Sequence, residues 1–307
     1  MTTRIQREAA RTDRRREALF RQAAREAAGQ TRRVRAAILQ WFLRSGGGPG
    51  FDSIFAGLRP QLARIMLAND LAARLNTRRD AGRAPSPVGL ARAIEPYADT
   101  IERVASLLRV GRSGVQSLGG RYDAYAAQTI DTLAAGLRTR MGRISSEVLA
   151  QGIPTQSAVR LIRTEMDAAG LNPVDPRLIE TVYRTQASVA YSAGQWNAHQ
   201  GETLGDILWG WEYSTVGDDR VRPNHAAMDG VRLPKDNPFW RTNFPPQGWN
   251  CRCTAIPIYE GDALIADPKP PPRGVVVIDG VETTAAPDRG WAFNPGAVFA
   301  GALAKAP

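Results

Sequence analysis

The spacing of apolar residues changes character near Gly201, and that change divides the chain into two kinds of structure. Before it, Ile94, Tyr97, Ile101, Val104 and Leu108 recur at intervals of four and three, as do Ile130, Leu133, Leu137, Met141, Ile144 and Val148. Each set lies along one face of an α-helix and reads as core. Gly152-Ile153-Pro154-Thr155 opens another helix, with Ala158, Leu161, Ile162 and Met166 inward and Gly170 as its stop. Asp175-Pro176 supplies an N-cap and a first-turn proline for a helix reaching about His199. Its buried stripe is Ile179, Val182, Gln186, Val189, Ala193 and Trp196. Helix breaks are expected at Ser45–Gly50, at Arg83–Pro87 and, more loosely, across Gly111–Gly120.

After Gly201, Trp209, Trp211 and Tyr213 alternate with Gly210 and Glu212, which is strand periodicity. Glycine, proline and aromatic residues dominate up to Pro257. Residues 266–307 are rich in proline and glycine, with one apolar run at Val275–Ile278. They read as an extended tail with one strand or hairpin. The expected fold is α+β and mainly α. A basic helical arm (1–45) precedes a helical body (51–149), a domain (150–260) whose helices lead after Gly201 into a small irregular β-containing module, and the tail (261–307).

Charge is concentrated at the start. Residues 4–44 carry twelve arginines against Glu8, Asp13, Glu17 and Glu26, a balance of +8 within a chain total of +10. Arg11, Arg14, Arg15, Arg16, Arg32, Arg33 and Arg35 are candidates for contact with a polyanion such as DNA. A solvated charged helix face is the competing reading. No apolar run approaches the ~20 residues that span a bilayer, so no membrane partner is expected. The basic N-terminus lacks the apolar core of a secretory signal, which points to a cytosol-like compartment. Only Cys251 and Cys253 are present, one residue apart. A bridge between them would close a strained ring, so both read as reduced thiols.

The distinctive chemistry falls between residues 209 and 253. Asp218, Asp219, Arg220, Arg222, His225, Gly230, Asn250, Cys251, Arg252 and Cys253 gather there. His225, Cys251 and Cys253, with His199 as a fourth ligand, have the donor types of a zinc site, although Cys-x-Cys is tighter than the usual Cys-x2-Cys. The alternative, and the expectation adopted, is a packed module without a cofactor. In it His225 hydrogen-bonds and the cysteines act as small buried residues. Cys251 or Cys253 with His225 and Asp219 could form a nucleophilic set, and Asp218, Asp219 and His225 a nuclease metal site. Arg220, Arg222 and Arg252 suit pairing with Asp218, Asp219 or Asp229. Trp209, Trp211, Trp240 and Trp249 are expected to fill a small core.

Asp218-Asp219-Arg220-Val221-Arg222-Pro223-Asn224-His225, then Asp229-Gly230, Pro245-Pro246 and Asn250-Cys251-Arg252-Cys253, resembles the phage Mu F-like head-morphogenesis family. The resemblance covers about residues 150–257. Asp288-Arg289-Gly290-Trp291-Ala292-Phe293-Asn294-Pro295-Gly296 is similar to a tail that often follows that domain. Thr185-Gln186 stands where relatives often carry Thr-Glu. The resemblance implies a non-enzymatic minor capsid protein held near the portal vertex inside the virion and assembled in the host cytoplasm. The implied partners are the portal protein, the major capsid or scaffold protein, and double-stranded DNA, with a role in head assembly or DNA ejection. The rival is a phage-encoded metal-dependent nuclease or toxin-like enzyme, since the family domain also occurs fused to toxins.

Overall fold

The computed structural model describes residues 4–45, 50–80, 97–151, 153–171 and 177–300. The expected breaks at Gly46–Pro49 and Arg83–Pro87, the stripe position Ile94 and the cap Asp175-Pro176 lie outside the described residues. The fold is mainly α with a small C-terminal sheet module. Six long helices come first: α1 (Arg4–Ser45), α2 (Leu58–Asp80), α3 (Tyr97–Leu107), α4 (Arg112–Gln151), α5 (Thr155–Ala168) and α6 (Arg177–Ala198). No described helix is long and apolar enough to cross a membrane.

Two compact units share these helices. One comprises Met1–Phe20, Met66–Leu118 and Thr185–Pro307, and the other Arg21–Ile65 and Gly119–Arg184. They therefore interleave along the chain, unlike the four successive segments expected from its sequence.

In the second unit, Ala27, Val34, Ile38 and Phe42 form the buried stripe of α1. The basic helix is thus amphipathic over its second half, and its arginines occupy the face left to solvent. Trp41 meets Phe51 edge-on at 4.8 Å, and Phe51 tilts against Phe55 at 5.5 Å. Arg35 is a departure from the expected set of exposed cations. Its guanidinium, 17% exposed, pairs with Asp167 and donates to the Leu171 carbonyl. The loose break expected over Gly111–Gly120 falls at its start, where Gly111 lies in the gap between α3 and α4, and α4 then runs through Gly114, Gly119 and Gly120. Each interior glycine costs about 1 kcal/mol, but Leu118 and Tyr122 on either side are fully buried, and packing outweighs propensity. Ile130, Leu137, Met141, Ile144 and Val148 are buried as the periodicity requires. Leu161 on α5 is not; it is 44% exposed, one step off the face defined by Ala158, Ile162 and Met166.

In the first unit, Ala187, Val189, Ala190, Tyr191 and Ala193 make α6 buried nearly all round. A Cβ on Gly194 would collide with the Asp70 backbone of α2, so that glycine allows the two helices to touch. Beyond α6, the short helix α7 (Glu202–Gly205) leads to β1 (Leu208–Ser214). This strand is the centre of an antiparallel sheet ordered β2 (Arg232–Pro234), β1, β3 (Thr254–Tyr259). Trp211 faces Leu233 on one side and Pro257 on the other, and Tyr213 is opposite Ala255. Short helices α8 (Pro223–Ala226) and α9 (Phe239–Thr242) sit in the connections.

Trp211, Tyr213, Met228, Val231, Trp240 and Phe244 form one buried cluster with Cys251 and Cys253. Trp196 of α6 stacks on Trp211 at 6.0 Å and meets Phe244 edge-on at 4.9 Å, which seats the module on its helix. Of the four tryptophans expected in this core, Trp211 and Trp240 are buried, Trp209 is half-buried, and Trp249 is 43% exposed.

The tail contains a hairpin of β4 (Val275–Ile278) and β5 (Val281–Thr284), turned at Asp279-Gly280, both with positive φ. Past the hairpin it is not extended but returns to the module. The Asp288 backbone N–H donates to the Gln247 carbonyl, and Asn294 Nδ2 donates to the Trp240 carbonyl, both at 2.9 Å. Asn294 also caps α10 (Pro295–Val298). Gly296 lies so close to the Trp196 ring that a Cβ would not fit.

Candidate functional site

His225 is the third residue of the four-residue helix α8, which Pro223 starts with its fixed φ. The chain then turns at Gly230, with φ +72°, and the Gly230 N–H donates back to the Tyr213 carbonyl at 2.8 Å. Asp229 holds the same corner by accepting from the Thr215 N–H at 2.6 Å and its hydroxyl at 2.9 Å. This corner places His225 over the end of β1.

The cysteines arrive from the other side. Asn250 takes a left-handed conformation, φ +56°, and its N–H donates to Thr185 Oγ1 on α6 at 3.0 Å. From there burial alternates: Cys251 in, Arg252 half out, Cys253 in. In extended chain, residues two apart share a face. Cys-x-Cys therefore presents both thiols to one point without a tight bend. Cys251 Sγ lies 3.7 Å and Cys253 Sγ 3.9 Å from the same atom, His225 Nδ1. All three residues are more than nine-tenths buried.

Arg252, pointing the other way, pairs with Asp218 through two hydrogen bonds of 2.7 and 2.6 Å. That pairing, with help from the Arg220 backbone N–H, lowers the Asp218 pKa to about 2. Asp218 is thus committed to arginine and Asp219 is exposed, so the two aspartates do not converge with His225 on a nuclease-type metal site. Among the described residues, the group with metal-ligand spacing is His225, Cys251 and Cys253.

Asp288, from the returning tail, completes the surroundings of His225. Its Oδ1 lies 3.2 Å from His225 Nε2, close enough for charge pairing although not aligned as a hydrogen bond. It also accepts from Asn224 Nδ2 at 3.1 Å, and its Oδ2 is 3.4 Å from Arg222 Nε. A Cβ on Gly248 would collide with Asp288 Oδ2, so a glycine is needed where the carboxylate docks. Sequence reasoning placed this aspartate in the tail and gave it no role. The usable signal was an acid followed by Gly290 and Trp291, in a chain whose motif histidine lacked an orienting partner.

Burial by itself would raise the Cys251 thiol pKa. Contacts with the Cys253 thiol, with His225 and with the Gln247 backbone outweigh burial and hold Cys251 well below the usual thiol range. Burial also raises the Tyr213 phenol well above its ordinary value, and the two thiols add to that. A small cleft lined by Val216, Arg220 and Asn250 opens on the cluster.

His199, the expected fourth ligand, is engaged elsewhere. Nδ1 lies 2.9 Å from the Gln195 carbonyl, which can only accept, so this nitrogen carries the proton. Nε2 is 3.0 Å from the Tyr259 hydroxyl, and the ring meets Trp211 edge-on. Burial lowers its pKa to about 4. His199 is a core residue of the module. Of the candidate polyanion contacts, Arg11, Arg14, Arg32 and Arg33 are exposed on α1, and Arg11 pairs with Asp80 at 3.5 Å. The side chains of Arg15 and Arg16 lie outside the described residues.

Comparison with known proteins finds a family similar to this region. The profile of the family described as Phage Mu protein F like protein matches residues 128–256. "Putative capsid assembly protein F" of Escherichia phage Mu is 36% identical over 93 residues, which is 30% of this chain and 21% of that protein. The Mu-like prophage FluMu F protein of Haemophilus influenzae is 38% identical over 78 residues, covering 25% and 18% of the two chains. The aligned part thus spans about a fifth of the length of these relatives. No solved structure matches.

Proposed function

We propose, from the match of residues 128–256 to the phage Mu protein F-like family, that this chain is a minor capsid protein of a tailed phage, acting in head morphogenesis without being an enzyme. The observation that carries this reading is that the family match takes in β1, α8 and both cysteines, the elements that build the buried cluster. In the proposed role the chain sits at the portal vertex in few copies and touches the portal and the major capsid or scaffold protein. The exposed arginines of α1, including Arg14, Arg32 and Arg33, contact packaged DNA. The same contacts support ejection.

Mass spectrometry of purified particles and of proheads tests this. The chain is expected in both, substoichiometric to the major capsid protein, and missing from particles assembled without portal. Absence from both would overturn the structural role and favour the nuclease-like one.

A further inference from the structure

Two thiols and one imidazole nitrogen converge on a common point inside the module. A neutral imidazole nitrogen offers one lone pair or one proton. A cation at the common point serves all three atoms.

We propose that His225 Nδ1, Cys251 Sγ and Cys253 Sγ bind a single zinc-type divalent cation. The three ligand atoms lie within 4.8 Å of one another. With zinc–sulfur and zinc–nitrogen bonds of about 2.3 and 2.0–2.1 Å, tetrahedral coordination places sulfur and nitrogen about 3.5 Å apart. The observed 3.7 and 3.9 Å need to contract by only a few tenths of an ångström.

Asp288 supplies a second, independent observation. Its carboxylate faces the opposite ring nitrogen of His225 at 3.2 Å. It favours the tautomer protonated at Nε2, and that tautomer turns the Nδ1 lone pair toward the sulfurs. A carboxylate behind a histidine is the usual means of orienting a metal-bound imidazole. Thiolate and imidazole donors together select zinc over magnesium or calcium. Binding displaces the thiol protons to solvent. The fourth position would face the cleft lined by Arg220 and Asn250, where water can complete the coordination. His199 does not fill it, since both its ring nitrogens are engaged by Gln195 and Tyr259. The proposal is independent of where in the phage particle the chain resides.

The test is titration of the metal-free, full-length protein with cobalt(II), followed by absorption spectroscopy. Saturation at about one cobalt per chain is expected, with a thiolate-to-cobalt charge-transfer band and the intense visible bands of a tetrahedral site, all abolished by added zinc. Cys251→Ala, Cys253→Ala and His225→Ala should each lose this spectrum. His199→Ala should keep it. Asp288→Asn should keep its shape while weakening affinity about 10- to 100-fold. Should an alanine variant fail to fold, the spectrum of the unaltered protein decides alone. No saturable cobalt binding, binding without charge transfer, or one cobalt shared by two chains would each overturn the site.

Discussion

Arg252 grips Asp218 with two nearly parallel hydrogen bonds, 2.7 and 2.6 Å long, across the loop that leads to His225. The pair ties that loop to the segment carrying the cysteines, just ahead of β3, and only an arginine can make both bonds at once. Because the Asp218 side chain is 36% exposed, solvent screens the interaction. A double-mutant cycle with Arg252→Ala and Asp218→Ala should give a coupling of about 1 kcal/mol at low salt, falling as salt rises. Arg252→Lys should recover less than half of it. A coupling near zero at low salt would show that the loop is held by its other neighbours.

His199 makes the module sensitive to acid. Its folded pKa, lowered by burial to about 4, lies below the ordinary value of 6.5. Between these values the unfolded chain binds a proton that the folded chain refuses, so stability is present above about pH 6.5 and is lost as pH falls toward 4. Over pH 7 to 4.5 the loss amounts to about 2–3 kcal/mol for this one group. Six of the seven tryptophans lie at or beyond Trp196, so their fluorescence reports on this part of the chain. Urea midpoints followed that way should fall less with acid in His199→Gln than in the unaltered chain. Equal acid sensitivity in both would assign the effect to other groups.

Gly248→Ala should loosen the tail. The new methyl meets Asp288 Oδ2 in a position already bounded by Arg222, so the carboxylate must leave or the loop must shift. Overpacking of this sort costs about 1–3 kcal/mol. Amide hydrogen exchange should show weaker protection at the Asp288 N–H, which donates to Gln247, while the β1–β3 ladder stays protected. Unchanged exchange at Asp288 would show that the site tolerates a larger residue.

The basic helix cannot be tested by deletion, because Ala27, Val34, Ile38 and Phe42 belong to the core. Replacing Arg14, Arg32 and Arg33 with glutamine removes charge from its exposed face and leaves that core intact. DNA affinity should fall, and the slope of log affinity against log salt should flatten by about 0.9 for each phosphate that an arginine no longer neutralises. An unaltered slope would mean that the charges face another partner.

Periodicity made the helices legible, since each long stripe lies on a face that is mostly buried. The gathering of His225, Cys251 and Cys253 was legible too, because those residue types are scarce in the chain and fall in one short segment. What the sequence concealed was the meeting of distant segments. Nothing near His199 indicates that Gln195 and Tyr259 claim its ring, and Asp288 reaches His225 only because Gly248 leaves room for it. The glycines of α4 read as a break because propensity is local, whereas the burial of Leu118 and Tyr122 is not. Arg35 looked like its exposed neighbours until Asp167, 132 residues away, was placed beside it.

The returning tail also sets an order in time. A ribosome delivers the histidine first, the thiols next, and the aspartate that orients the histidine only 35 residues after Cys253. At about 5–20 residues per second, the emerging chain spends some two to seven seconds with its cluster formed but unbraced. During that interval Trp240 and Trp196 still lack the covering that Asn294 and Gly296 later provide. A nascent chain stalled there would expose aromatic surface that the returning tail otherwise covers.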